Sequence, residues 1–285
     1  MKISDALKQG VDILSKGTSE INVPPLDAQI ILCHVTDRDR AYLIAHSDEI
    51  LSQLERDLFF EYILKRASGC PVAYITGKKE FMGFEFLVDE NVLIPRDDTE
   101  ILVNCVLDLA KQYKNPKILN IGTGSGCIEV AIAHYNTDAE ITGIEKYDSA
   151  IYVAQKNIDS YSLGERVRLI KSDMFDGLDK NKRFDIICSN PPYITKDEMD
   201  ILSIDVKEFE PYTALYGGED GLDFYKIIAG QAKKYLTSNG FLVVEIGYMQ
   251  KESVCDIFIK NGYTNIDCHK DLSGYDRAIT AQYIK

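Results

Sequence analysis

From residue 117 to the carboxyl terminus, short apolar runs rich in β-branched residues alternate with longer segments whose apolar positions recur every three or four residues. The first kind is expected as strands buried on both faces, the second as amphipathic helices. Their alternation predicts an α/β fold with a parallel sheet and helices on both of its faces. Strands are expected at 117–121, 141–144, 167–170, 184–189, 241–246, 264–269 and 278–284. Helices are expected from the glycine-rich turn at 122–126 to about Tyr135, and at 148–161, 221–236 and 251–260.

The amino-terminal stretch follows a different pattern. Leu7, Val11 and Leu14 recur at helical spacing behind Ser4, a natural N-cap, and Gly17 closes the segment. Pro25 is placed to open a second helix that buries Leu26, Ile30 and Val35. A third helix is expected over 52–67, stopped by Gly69 and Pro71. Residues 80–88 then alternate around Gly83, the pattern of a β-hairpin. Asp97 or Asp98 is positioned to cap a helix that runs to about Gln112. The expected organisation is a helical domain over 1–75 for substrate recognition, a hairpin linker over 76–95 and an α/β domain over 96–285.

Composition narrows the classes of partner. At 285 residues, 45% of them hydrophobic, the chain is long enough for two domains. A net charge of -13 and a pI near 4.8 argue against a nucleic-acid partner, which needs a basic stripe to grip phosphates. Seven cysteines lie scattered singly, with no C-x-x-C pair and no Cys/His cluster, so neither a disulfide framework nor a metal site is indicated. Free thiols fit a reducing cytoplasm. The amino terminus carries an early acid, Asp5, and no long apolar run follows, so neither a signal peptide nor a membrane span is expected. The expectation is a cytoplasmic monomer without membrane association.

Candidate chemistry gathers at the carboxyl ends of the expected strands, where open α/β sheets bind ligands. Gly122-Thr123-Gly124-Ser125-Gly126 follows the strand at 117–121 and lets backbone approach a ligand closely. Its G-x-G-x-G spacing is not that of a dinucleotide site. Glu145 ends the next strand, 19 residues beyond Gly126, the place for an acid that accepts the ribose hydroxyls of a nucleoside. After the third strand, Asp173 can accept from an exocyclic adenine amine, and Met174 or Phe175 can cover the ring. No phosphate-binding G-x-x-x-x-G-K-[ST] run is present. An adenosine site of this kind fits S-adenosylmethionine (SAM) best. The fourth strand runs into Asn190-Pro191-Pro192-Tyr193. Two prolines cannot join a sheet ladder, so the chain makes a stiff turn there. Such a turn can hold a flat NH2 group, with two acceptors for its hydrogens and an aromatic ring against its face.

Further runs extend the pattern. They include 66–77 (Arg66-Ala67-Ser68-Gly69-Cys70-Pro71-Val72-Ala73-Tyr74-Ile75-Thr76-Gly77) and Leu93-Ile94-Pro95-Arg96-Asp97-Asp98-Thr99-Glu100. They continue with Glu210-Pro211, 214–222, Glu245-Ile246-Gly247 and 271–277. With these and the motifs above, nearly the whole chain resembles the Rossmann-like, seven-stranded class I SAM-dependent methyltransferases. More narrowly it resembles the bacterial release-factor glutamine methyltransferases, the HemK family. The resemblance implies methyl transfer from SAM to the side-chain nitrogen (N5) of the glutamine in the Gly-Gly-Gln loop of a peptide chain release factor. By position, Gly122, Thr123, Gly124, Ser125, Gly126, Glu145, Asp173, Met174 and Asn190 would bind the cofactor. Asn190, Pro191, Pro192 and Tyr193 would bind the glutamine, with the Asn190 side-chain oxygen and the Pro191 carbonyl accepting its amide hydrogens and Tyr193 packing on the amide plane.

Two residues depart from the family pattern. Asn120, before the glycine turn, stands where an acid is usual; it is expected to contact the methionine end of the cofactor without giving charge to its ammonium. Asp97-Asp98 replaces a Pro-Glu. Three other readings share parts of the pattern: an adenine-N6 or guanine amino methyltransferase on nucleic acid, a glutamine methyltransferase for a ribosomal protein, and a non-catalytic SAM-binding module. The acidic charge weighs against the first, Thr99-Glu100 against the second, and the intact 190–193 turn against the third.

Overall fold

The computed structural model describes residues 1–17 and 23–284. The chain divides into two compact units, one formed by 1–78 with 201–210, the other by 79–200 with 211–285.

The first unit is helical. Its elements are α1 (Ile3–Leu14), α2 (Pro24–Thr36), α3 (Arg40–Ala45), α4 (Gln53–Ala67) and α5 (Val72–Thr76). Ile3, Leu14, Ile31, Leu32, Phe59 and Ile63 form its core. Ser4 is not the cap of α1: Lys2 holds that position and makes no side-chain cap bond. The reason is tertiary. Ile3 N donates to Glu49 O (2.9 Å) and Ser4 N to Ser47 O (3.0 Å), so the first turn finds its acceptors on a distant segment. Ser52 does cap α4, in a reciprocal box with Glu55. The short helix α3, which the periodicity does not reveal, is capped by Asp39, whose carboxylate accepts from Tyr42 N at 2.7 Å. Arg66 is buried and donates to Asp27 (2.7 Å) and to the carbonyls of Gly69 and Cys70.

The second unit opens with the expected hairpin, β1 (Lys78–Phe81) and β2 (Phe84–Leu87), counting Lys78 with its strand. Helix α6 (Thr99–Ala110) follows and stops short of Gln112. Asp98 stands at its N-cap position, but the side chain makes no capping bond. It pairs instead with Arg277 at 3.1 Å, while Asp97 takes Lys79 at 3.1 Å.

Alternation then runs through β3 (Lys117–Ile121), α7 (Cys127–Tyr135), β4 (Glu140–Glu145), α8 (Asp148–Ser160), β5 (Val167–Lys171) and β6 (Phe184–Ser189). Three short helices, α9 (Lys196–Ile201), α10 (Ile204–Lys207) and α11 (Tyr212–Leu215), lie outside the expected pattern, and α10 belongs to the first unit. The chain closes with α12 (Asp223–Ala232), β7 (Leu236–Glu245), α13 (Lys251–Lys260), β8 (Thr264–Lys270) and β9 (Asp276–Tyr283). The helix expected to reach Leu236 ends earlier, because Leu236 already belongs to β7. Phe184 N donates to Tyr235 O at 2.8 Å, and pairing of β6 with β7 begins there before a register shift.

The seven strands are ordered β5-β4-β3-β6-β7-β9-β8. Pairs from β5 through β7 are parallel, and β9 pairs antiparallel with both neighbours. Alternate strand residues serve two cores. Ile118, Ile186 and Val243 pack with α6 and α7, whereas Leu119, Ile187 and Leu242 pack with α12 and α13. The chain winds from β3 outward through β4 to β5, then returns to start again at β6. Strands β3 and β6 are therefore neighbours across a topological switch point, where doubly wound sheets form a ligand crevice. No helix among the described residues is long and apolar enough to cross a membrane.

Candidate active site

A cavity of about 310 Å³ opens at this switch point. Four consecutive strand ends line it. Gly122 to Ser125 follow β3, Glu145 to Tyr147 lie at the end of β4, Ser172 to Met174 follow β5, and Ser189 to Pro192 lie at the end of β6. The register explains why the glycine turn and Asn190 come together. Ile121 pairs with Ser189, and Ser189 Oγ donates to Ile121 O at 2.8 Å.

Gly122 and Gly124 have φ of +79° and +56°, a region that L side chains rarely adopt. Where a Cβ would stand at either residue there is open space, so the backbone itself forms the cavity wall. Gly126 does not line the cavity; it starts α7 and lets that helix pass close to Ala154.

Glu145 is nearly buried, and its carboxylate organises the loops around it. Oε2 accepts from Gly124 N (3.0 Å), and Oε1 from Lys146 N (2.7 Å) and Tyr147 N (3.1 Å). A carboxylate offers about four acceptor sites, so these bonds leave capacity chiefly on Oε2. Asp173 and Met174 both line the cavity. Asp173 pairs with Lys146 at 2.7 Å. Ser172 builds the loop, donating to Met174 O and accepting from Gly177 N, both at 2.8 Å. Phe175 turns away into the core and stacks on Tyr235.

Asn190, Pro191 and Pro192 line the same cavity; Tyr193 does not. Its ring packs behind the turn and its hydroxyl donates to Glu245 Oε1 at 3.4 Å. The turn is clamped from behind. Gln250 Nε2 donates to Tyr193 O at 3.0 Å, and a Cβ on Gly217 would stand 2.6 Å from Tyr193 Cα. Asn190 Nδ2 donates to Thr99 Oγ1 at 3.0 Å.

Asn120 is fully buried and does not reach the cavity. The expected contact with the cofactor's methionine end is replaced by a bond from its Nδ2 to Glu129 Oε1 at 2.8 Å. Burial pushes the Glu129 carboxyl up to about 7, against hydrogen bonds from Asn120 and Thr123. Gly143 makes room for this cluster: a Cβ there would lie 2.6 Å from Glu129 Oε1.

Several lining residues lie outside the predicted site set. Asn91, Val92, Pro95 and Arg96 come from the loop before α6, and Pro211 to Ala214, Tyr216 and Phe224 close another side. Leu93 to Thr99 is legible as a motif of the resembled family, and its Arg96, an Arg beside a proline turn, is suited either to a solvated surface or to anchoring a ligand loop.

A seven-stranded sheet with this order, and a glycine turn, an acid and an Asn-Pro-Pro turn on adjacent strand ends, defines a class I SAM-dependent methyltransferase. A methyltransferase from Pyrococcus furiosus shares the fold, with a TM-score of 0.53 at 20% identity over 71% of this chain and 90% of that one. Residues 5–77 match the family described as PrmC N-terminal domain, and 97–205 the family described as methyltransferase small domain. The chain is 39% identical to the release factor glutamine methyltransferase of Clostridium acetobutylicum, over 99% of this chain and 98% of that protein. It belongs to the release factor glutamine methyltransferase family. A bifunctional methyltransferase of Rickettsia typhi is also 39% identical over 91% of this chain, which spans 53% of that longer protein.

Proposed function

We propose that this chain transfers a methyl group from SAM to the side-chain amide nitrogen of the glutamine in the Gly-Gly-Gln loop of a peptide chain release factor. The observation that carries the reading is the meeting, in one cavity, of the glycine turn with Glu145 and of Asn190 with Pro191. The first pair suits a nucleoside, and the second suits a planar NH2.

Gly122 to Ser125, Glu145 and Met174 would hold SAM, which supplies an electrophilic methyl on a cationic sulfur with a good leaving group. An amide nitrogen is a weak nucleophile because its lone pair is delocalised. The protein's task is therefore to position and desolvate it, which at best is worth roughly 7 to 11 kcal/mol. Asn190 Oδ1 and Pro191 O accept the two amide hydrogens and aim the nitrogen face at the methyl. Those hydrogens become more acidic as the nitrogen is alkylated, so the acceptors bind the transition state more strongly than the ground state, and one proton then leaves to solvent to give the neutral secondary amide. Tyr193 supports the turn from behind rather than covering the substrate. The helical unit is the proposed site of release-factor recognition.

The test is a side-by-side assay with methyl-labelled SAM on an intact release factor, its loop Gln→Ala variant, duplex DNA and ribosomal RNA. Label is expected on the intact factor alone. Label on the nucleic acids, or undiminished label on the Gln→Ala factor, overturns the reading.

A further inference from the structure

The Asn190 side chain has two ends of opposite character. Its oxygen can accept a hydrogen from a substrate NH2, whereas its own NH2 would set donors against donors. The backbone turn does not choose between these orientations. Nδ2 donates to Thr99 Oγ1 at 3.0 Å, and Thr99 is buried at the start of α6.

The choice depends on where the Thr99 proton goes. Thr99 also favours the ionised form of the Glu245 carboxylate, at the end of β7. An ionised carboxylate only accepts, so it takes the single Thr99 proton. The lone pairs left on Oγ1 can receive only a donor, and the donor end of Asn190 is its NH2. Tyr193 adds a second donor to Glu245. Donation thus runs in one direction, from Asn190 to Thr99 to Glu245, and leaves Asn190 Oδ1 for the cavity. Glu245 is 1% exposed, and its Oε2 has no partner among the described residues. A buried carboxylate so placed calls for a reason, and orienting the chain of donors supplies one.

We propose that Thr99 and Glu245 are positioning residues: the Glu245 carboxylate sets the direction of the Thr99 hydroxyl, which holds the Asn190 amide with its oxygen toward the substrate nitrogen. The proposal rests on the amide-methylation reading of the cavity and adds what fixes its acceptor.

A pH dependence follows. Burial pushes the Glu245 carboxyl up to about 7, opposed by Thr99 and by Arg277. The groups that face it are Arg277 on β9, Asp98 ahead of α6, Tyr193 after β6 and Tyr225 on α12. Arg277 stays charged near neutrality, and burial holds both tyrosines protonated. Once protonated, Glu245 can itself donate to Thr99, freeing the Thr99 proton to point at Asn190. The amide then turns its oxygen to Thr99 and its NH2 to the cavity. The methylation rate therefore falls as pH drops below about 7.

The test uses the full-length protein, SAM and an intact release factor, comparing wild type with Thr99→Val, Thr99→Ser and Glu245→Gln. Thr99→Val keeps the shape and removes the hydroxyl. Its kcat should fall by about ten- to 100-fold, the scale of a misplaced reacting group, with KM for the release factor and calorimetric SAM affinity little changed. Thr99→Ser should restore most of the rate. Glu245→Gln should abolish the inflection of the rate near pH 7. Thermal melts establish that each variant is folded. A folded Thr99→Val enzyme with wild-type kcat, a Thr99→Ser enzyme as slow as Thr99→Val, or an inflection that persists in Glu245→Gln overturns the proposal while leaving the substrate reading intact. Failure of the wild type to label the glutamine overturns both.

Discussion

Asn120 Nδ2 lies 2.8 Å from Glu129 Oε1, and both side chains are fully buried. The negative charge usual at the end of β3 is carried instead by the first turn of α7, outside the cavity lining. Oε2 of Glu129 finds no partner among the described residues.

This burial has a measurable cost. The folded-state carboxyl of Glu129 rises from 4.5 to about 7, so the folded chain holds this proton more tightly than the unfolded chain does. Between those two values, rising pH removes the proton from the unfolded state first, and stability falls, by up to about 3 kcal/mol in total. Glu129→Gln keeps an acceptor for Asn120 and removes the charge. Its stability advantage should be near zero below pH 4.5 and largest at pH 8, read from urea midpoints. An equal advantage at pH 4 and pH 8 would show that charge burial is not the cause.

Gly124 tests the cofactor wall. At φ +56° a valine is strained, by roughly 1–2 kcal/mol for the left-handed region, and its side chain would enter the open space of the cavity. Gly124→Val should lose calorimetrically detectable SAM binding while circular dichroism shows the sheet intact. Full-strength binding by a folded variant would remove the glycine turn from the cofactor site.

Glu145 should be intolerant even of its amide. Three backbone N–H groups point at its two oxygens, and Glu145→Gln would set an NH2 against one of them. Loss of charge-assisted bonds of about 1.5–3 kcal/mol each should weaken SAM binding by ten- to 100-fold. Unaltered affinity in Glu145→Gln would contradict this role.

In the helical unit, Arg66 and Asp27 form a nearly buried pair at 2.7 Å, with side chains 9% and 16% exposed. Arg66→Ala strands the Asp27 carboxylate and two carbonyls. Removing one partner of such a pair should cost about 3 kcal/mol, whereas replacing both by well-packed apolar residues should cost much less. Chemical denaturation of Arg66→Ala and of the double variant Arg66→Met with Asp27→Leu distinguishes the two; equal losses would show that the pairing is not what matters.

Local chemistry made much of this protein legible in its sequence. The apolar runs at 117–121 and 184–189 coincide with β3 and β6, because a strand buried on both faces is apolar along most of its length. The glycine turn, Glu145 and Asn190 follow their strands directly, and a parallel sheet brings such strand ends to one edge. What sequence spacing could not decide lies in contacts between distant segments. Ser4 lost its capping role because residues 47 and 49 satisfy the first turn of α1. Asn120 turned inward to an acid on the neighbouring helix, and the Tyr193 ring packed behind its turn. The orientation of Asn190 rests on Thr99, 91 residues earlier in the chain. Periodicity records which face of an element is apolar. The direction of a buried hydrogen bond depends on which donors and acceptors the packing brings together, and only the folded structure sets that.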